Sequence, residues 1–443
     1  MSQSTKLRDI TGQQWRSGAA AWLGWMFDGL DMHLYTLVAA GYVAALSHVQ
    51  EGDPVARAHM GYIQAAFLFG WAIGGGFFGR LGDILGRSKA LILTILTYTL
   101  FTGLSCFATE WWHLLIFRFL AALGIGGEWA VGASLLSETW PSRWRPWLAA
   151  VLQSGVNLGV FLATIAGLAR TGLPIEMNLF GYDIGNFNDR VLFLVGLLPA
   201  LLTLWIRKHV PETEDWSNAN KSQVMPGIAD LFRGKILKTT VLTILVCGFS
   251  LTAHWAFQFW AVQHYKTLPE IKAMDQSLRD QQVAWAFMLI NLIAVIGNFT
   301  AAALAKVLGY RKAIITLFLA YLLGMIVTYG VERDARTTFL LLTWMGIAQG
   351  VFGLFTMYLP PLFPVLLRTT GSGFCYNIGR IAAAAGTIVF GVVQIEQRQA
   401  LFFSCFLFIP AAIAALGLPE HTKEGTLAGE AVEENPKLEP EPV

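Results

Sequence analysis

Twelve times along this chain an apolar run reaches about 20 residues, the length a helix needs to cross roughly 30 Å of hydrocarbon. The runs lie at 18–46, 60–80, 90–109, 112–137, 147–169 and 190–208, then at 237–265, 282–307, 311–331, 337–359, 370–395 and 400–418. A polar stretch, 209–236, separates the two sets of six. A bilayer core offers no water to backbone amides, so spans of this kind must bond internally as helices. Only 14% of the 443 residues are charged. A soluble domain carries about 25%, so 31 basic and 29 acidic side chains cannot coat the surfaces of a soluble chain this long. The expected fold is an all-α integral membrane protein with twelve transmembrane helices in two six-helix bundles. The segments are 1–17, the first bundle 18–208, the central loop 209–236, the second bundle 237–418 and a disordered tail 419–443.

Most of the Lys and Arg fall in loops that share one side if both termini are cytoplasmic. The central loop and the span ends that flank it hold Arg207, Lys208, Lys221, Arg233, Lys235 and Lys238. By the positive-inside rule both ends are expected in the cytoplasm. The polar start, MSQSTKLRDITGQQW, shows no short apolar core of a cleavable signal peptide. Cys106, Cys247, Cys375 and Cys405 are dispersed in apolar runs, which gives neither a disulfide framework nor a metal site. The loops on the outer side lack Asn-x-Ser/Thr acceptors, in keeping with a bacterial inner membrane.

The two sets of spans repeat each other. G-R-L-G-D-I-L-G-R-S-K at 79–89 and A-A-L-A-K-V-L-G-Y-R-K at 302–312 align at an offset that also maps Pro141 onto Pro364 and Arg145 onto Arg368. One register shared by two separate places marks a parallel repeat, the plan of a transporter with its site at mid-membrane.

Gly79, Leu81, Asp83, Gly86, Arg87 and Lys89 resemble the loop signature of the major facilitator superfamily, and Arg118 followed by G-I-G-G-E-W at 124–129 resembles that superfamily's fourth-helix motif. D-G-L-D at 28–31, G-G-E-W-A-V-G at 126–132 and R-T-T-G-S-G-F-C-Y-N-I-G-R at 368–380 are similar to the sialate and monocarboxylate proton symporters. An Asp-Gly-x-Asp in the first span is also shared by aromatic-acid symporters. In A-H-W-A-F-Q at 253–258, Phe257 and Gln258 stand where the lactate branch has Gln-Asp. The resemblance implies the major facilitator fold and proton-coupled symport of a small organic anion such as lactate, pyruvate or sialic acid. A neutral sugar, a zwitterion or an aromatic acid is the alternative cargo, and a transport-dead sensor the remote one.

Charges inside spans cost about 3 kcal/mol each at the membrane centre and are typically retained for function. Five stand out. Asp28 and Asp31, three residues apart, share a face of the first span; burial and mutual repulsion favour a proton on one of them. With Glu128 they are the candidate proton carriers. Arg380, mid-depth in span 11, offers a two-pronged match to a substrate carboxylate. Asn377 and Tyr376 share its face. His254 and Gln258, one turn apart in span 7, and Arg118 complete the candidate substrate contacts.

Gly79, Asp83, Gly86 and Arg87 at the cytoplasmic edge, with Glu138, Arg143 and Arg145, are expected to form a conformational latch rather than touch substrate. The glycine pairs Gly70/Gly74 and Gly155/Gly159 make small-xxx-small helix-packing faces. No Walker-type loop, metal cluster or nucleophile–base motif is present. The expectation is therefore a monomeric carrier of organic anions and protons that uses neither ATP, cofactor, metal nor nucleic acid and is not an enzyme.

Overall fold

The computed structural model describes residues 7–50, 53–170, 176–179, 182–186, 190, 193–222, 224–392 and 396–420. Most of the expected tail, from 421 on, lies outside them. Helices occupy each of the twelve apolar runs. The first set is α1 (Gly12–Leu46), α2 (Pro54–Leu85), α3 (Arg87–Ser105), α4 (Trp111–Thr139), α5 (Arg145–Arg170) and α6 (Phe193–Ile206). The second is α7 (Gly234–Thr267), α8 (Gln276–Leu308), α9 (Tyr310–Tyr329), α10 (Ala335–Tyr358), α11 (Arg368–Val392) and α12 (Gln397–Leu416). Among the described residues nine helices meet the length and hydropathy expected of a membrane span. The others are α1, which carries Asp28 and Asp31, α11, which carries Arg380, and the shorter α6. A hairpin between α5 and α6 pairs β1 (Glu176–Leu179) with β2 (Tyr182–Asn186) in antiparallel fashion. A 20-residue hydropathy pattern does not register so small an element.

Helix starts follow local chemistry. Thr11 caps α1 in a reciprocal box with Gln14, Asp53 caps α2 ahead of Pro54, and Asp275 and Asp334 cap α8 and α10. The repeat is visible in the backbone. Gly86 between α2 and α3 and Gly309 between α8 and α9 have φ of 97° and 85°, a region that only glycine occupies cheaply.

The chain forms two compact units. The first contains Met1–Pro141, Ser154–Met225 and Val365–Phe374; the second contains Ser142–Gln153, Pro226–Pro364 and Cys375–Val443. The start of α11 thus packs with the first unit, and the rest of that helix belongs to the second. Within the first unit α2 lies against α4 through Gly70 and Gly74, which meet the backbone of Phe119 and Leu123. α5 meets α1 through Gly155 and Gly159, against Trp22 and Met26. Small residues permit this approach where lipid supplies no hydrophobic drive. Large apolar side chains point outward at helical spacing, as in Phe69, Ile73 and Phe77 of α2 and Leu319, Leu323 and Val327 of α9. Polar groups are kept inside. That inversion suits a hydrocarbon solvent.

Candidate functional site

The first unit gathers the carboxyl groups foreseen in the sequence. Asp31 is 1% exposed and Asp28 7%, yet the two take different partners. Asp31 Oδ2 lies 3.0 Å from Arg118 Nη1 of α4, and its Oδ1 accepts from Thr102 Oγ1 of α3 at 2.6 Å. The Arg118 guanidinium also stands over the rings of Phe67 (4.8 Å) and Tyr35 (5.6 Å). Asp28 instead meets Glu128. Glu128 is fully buried on α4, and its carboxyl fills the space beside Gly24 of α1, where a methyl group would overlap it. Gly24 is one turn before Asp28, so the absent side chain opens the seat in which the two acids touch. The stacked indoles of Trp25 and Trp129, 6.5 Å apart, adjoin that seat in sequence on both helices. Three acids therefore share this core with Arg118.

The second unit holds the other candidates in two groups. Arg380 Nη1 donates to Asn377 Oδ1 at 2.9 Å, and its guanidinium lies 4.7 Å over the Tyr376 ring. The three belong to one face of α11, set by their i, i+3 and i+4 spacing. Gly379 lets α11 press on the backbone of Cys247 in α7. His254 Nδ1 is 3.2 Å from the Tyr321 hydroxyl, with the Phe352 ring 4.3 Å away. Gln258, on the same face, donates to Gln349 Oε1 at 3.3 Å. Phe355 links the groups, edge-on to both Phe352 and Tyr376.

Of the residues expected to form a latch, Asp83, Arg87 and Glu138 meet within the first unit. Arg87 Nη1 bonds Asp83 Oδ1 at 2.9 Å, and its Nη2 bonds Glu138 Oε1 at 2.8 Å and the Val365 carbonyl at 2.6 Å. Asp83 accepts from the backbone amides of Thr369 and Thr370 at 3.2 and 2.8 Å and from the Thr370 hydroxyl. An acid at the first amides of α11 matches both their open donors and the helix dipole. Gly79 leaves room for the Thr369 carbonyl. Arg143 is exposed and Arg145 falls in the second unit, near Tyr310.

Several partners escaped the sequence reading. Arg368 Nη1 reaches Glu138 Oε1 at 3.1 Å. Thr213 Oγ1 donates to Glu138 Oε2 at 2.6 Å, and Trp216 Nε1 to the Asp83 carbonyl at 2.6 Å. Glu212 caps α3, accepting from the amides of Arg87 (2.7 Å) and Ser88 (3.2 Å) beside Gly86. Within the second unit Glu420 does the same for α9, accepting from the Arg311 amide at 3.2 Å beside Gly309. The signal was a duplicated dipeptide, Pro211-Glu212 and Pro419-Glu420.

Residues 19–225 match the family model described as sugar (and other) transporter. The chain is 31% identical over 415 residues to the probable 4-methylmuconolactone transporter of Cupriavidus pinatubonensis, covering 92% of this chain and 90% of that one. It is 26% identical over 412 residues to the sialic acid transporter NanX of Escherichia coli, covering 92% and 94%. The solved structure of the proton:xylose symporter XylE superposes with a TM-score of 0.78 over 96% of this chain and 99% of that one. At 15% identity that likeness speaks for the fold alone. By sequence and by fold, this chain is a membrane transporter of the major facilitator superfamily.

Proposed function

We propose that this transporter carries a small organic anion inward together with protons, by alternating access at a bacterial inner membrane, as a monomer with both termini in the cytoplasm. The observation that carries the reading is Arg380, a permanent cation buried in α11 and set between Asn377 and the Tyr376 ring. A guanidinium there presents paired N–H groups to a carboxylate. His254 and Gln258 supply further polar contacts. The names of two relatives, transporters of 4-methylmuconolactone and sialic acid, favour an organic acid over a neutral sugar. Proton coupling is supported by Asp28, Asp31 and Glu128, buried acids able to load on one side and unload on the other, with Arg118 balancing one of them. The Asp83–Arg87–Glu138 network is the latch that opens and closes the cycle.

Proteoliposomes with an imposed pH gradient test the reading. Labelled monocarboxylates, sialic acid and an aromatic acid are offered beside their amides. Gradient-driven uptake of an acid, with the amide not competing, is expected, and Arg380→Ala abolishes it. Uptake indifferent to the gradient refutes the coupling; full transport by Arg380→Ala refutes the anion site.

A further inference from the structure

Two amide side chains in the second unit bury nitrogens that donate to nothing among the described residues. We infer that Gln349 of α10 and Asn298 of α8 form a second substrate contact, which takes an uncharged hydrogen-bond acceptor at the far end of the acid whose carboxylate meets Arg380. The cargo is then an oxo acid, a lactone acid or a heteroaryl acid, and a plain alkanoate is a poor one. This assignment rests on the organic-anion reading above.

Asn298 is 3% exposed and Gln349 9%. Gln349 Oε1 accepts from Gln258 at 3.3 Å, which sets the orientation of its amide. Neither Gln349 Nε2 nor Asn298 Nδ2 has an acceptor among the described residues. An amide that only held helices together would donate to its neighbour across the interface, and a buried N–H left unmet costs free energy. Glycines bring the two residues side by side. Gly350 lies against the backbone of Gly297 and beside the Asn298 amide, and Gly297 faces the carbonyls of Gly346 and Ile347. α8 and α10 thus cross at a pair of glycines whose sequence neighbours are Asn298 and Gln349. α10 is interrupted at the same place. Its stretches Ala335–Ala348 and Val351–Tyr358 meet at Gln349 and Gly350. There the amides of Gly350, Phe352 and Gly353 donate to the carbonyls of Ile347, Gln349 and Gly350 at 3.2, 3.1 and 3.1 Å. A tightened, broken turn within a span is characteristic of helices that line a transport site.

The amides are joined to the cation by a row of rings inside the same unit. Phe352, one turn along α10 from Gln349, lies 4.3 Å from His254. Phe355 meets both Phe352 and Tyr376, and Arg380 stands over Tyr376. An acid lying along these rings offers its carboxylate at one end and an acceptor at the other. Charge decides which acceptor fits. Gln349 and Asn298 are neutral, and Arg380 answers one carboxylate. A second carboxylate at the amides would be buried without a counter-charge, a heavy cost. A carbonyl oxygen or ring nitrogen accepts their N–H groups without it.

Uptake by reconstituted full-length protein of acids matched in shape tests the assignment. The pairs are 4-oxopentanoate with 4-methylpentanoate and 4-acetylbenzoate with 4-isopropylbenzoate, and terephthalate is the doubly charged control. The wild type is expected to prefer the carbonyl-bearing acid of at least one pair by about tenfold in kcat/KM, and to take terephthalate poorly. Gln349→Met and Asn298→Leu, close in volume to the native residues, are expected to bring that ratio near one. A side chain that only packs would change the melting temperature and leave the ratio as it was. No preference in either pair by the wild type, a measurement that needs no variant to fold, overturns the subsite. So does a ratio unchanged in both variants, or terephthalate carried as well as 4-acetylbenzoate. Equal uptake of each acid and its amide overturns the organic-anion reading instead, so the two failures are distinct.

Discussion

Arg368 and Arg87 share one oxygen of Glu138, at 3.1 and 2.8 Å. Glu138 is fully enclosed, with Thr213 on its second oxygen. Two guanidinium groups 281 positions apart in the sequence therefore converge on a single carboxylate, in addition to Asp83 beside Arg87 and Asp215 beside Arg368. A buried cation that loses its partner costs about 3–5 kcal/mol. Glu138→Ala takes a carboxylate from two buried cations at once and is expected to lower the melting temperature of the solubilised protein more than Asp83→Asn, which takes one from Arg87 alone and leaves the Arg87–Glu138 bond in place. Equal shifts would show that the shared oxygen is not the keystone of the network.

The Asp31–Arg118 pair makes an asymmetric prediction. Arg118→Ala leaves Asp31 as an unpaired buried charge and is expected to destabilise by about 3–5 kcal/mol. Removing both partners, Asp31→Ala with Arg118→Ala, leaves no orphan charge and is expected to recover part of that loss. A thermal double-mutant cycle measures the coupling, and strict additivity of the two single losses would contradict the ion pair.

Gly24 distinguishes a seat from a spacer. Gly24→Ala places a methyl group on the Glu128 carboxyl, and overpacking of this kind costs about 1–3 kcal/mol. At Gly61 and Gly76 an added Cβ meets nothing within 4 Å, so alanine there is expected to leave stability unchanged or slightly raised. Melting curves of the three variants side by side decide the matter.

The architecture was legible because a bilayer imposes length on every span and the chain repeats itself at one register. Gly86 and Gly309, matched by that register, do adopt the same backbone conformation. Side-chain partners were less legible. Helical spacing places Asp28 and Asp31 on one face of α1, but what lies opposite each is a matter of packing, and a separation of about 60° around the axis and about 4.5 Å along it sends Asp31 to Arg118 and Asp28 to Glu128. Arg368 was visible as the repeat mate of Arg145, yet the repeat says nothing of Glu138, a residue with no acidic counterpart at position 361. The Pro-Glu dipeptides were hidden for a related reason: they stand 208 positions apart by their numbers 211 and 419, out of step with the register that aligned the loops.

Those two glutamates set an order of events during synthesis. The first amides of α3 take their carboxylate from Glu212, 125 residues downstream of Arg87, and those of α9 take theirs from Glu420, 109 residues beyond Arg311. The third helix of each half is threaded into the membrane long before its terminal acceptor has left the ribosome. Each half is therefore finished by a residue beyond its own sixth helix, and a nascent chain that stops short of it carries an open helix end, a mark by which an incomplete half differs from a complete one.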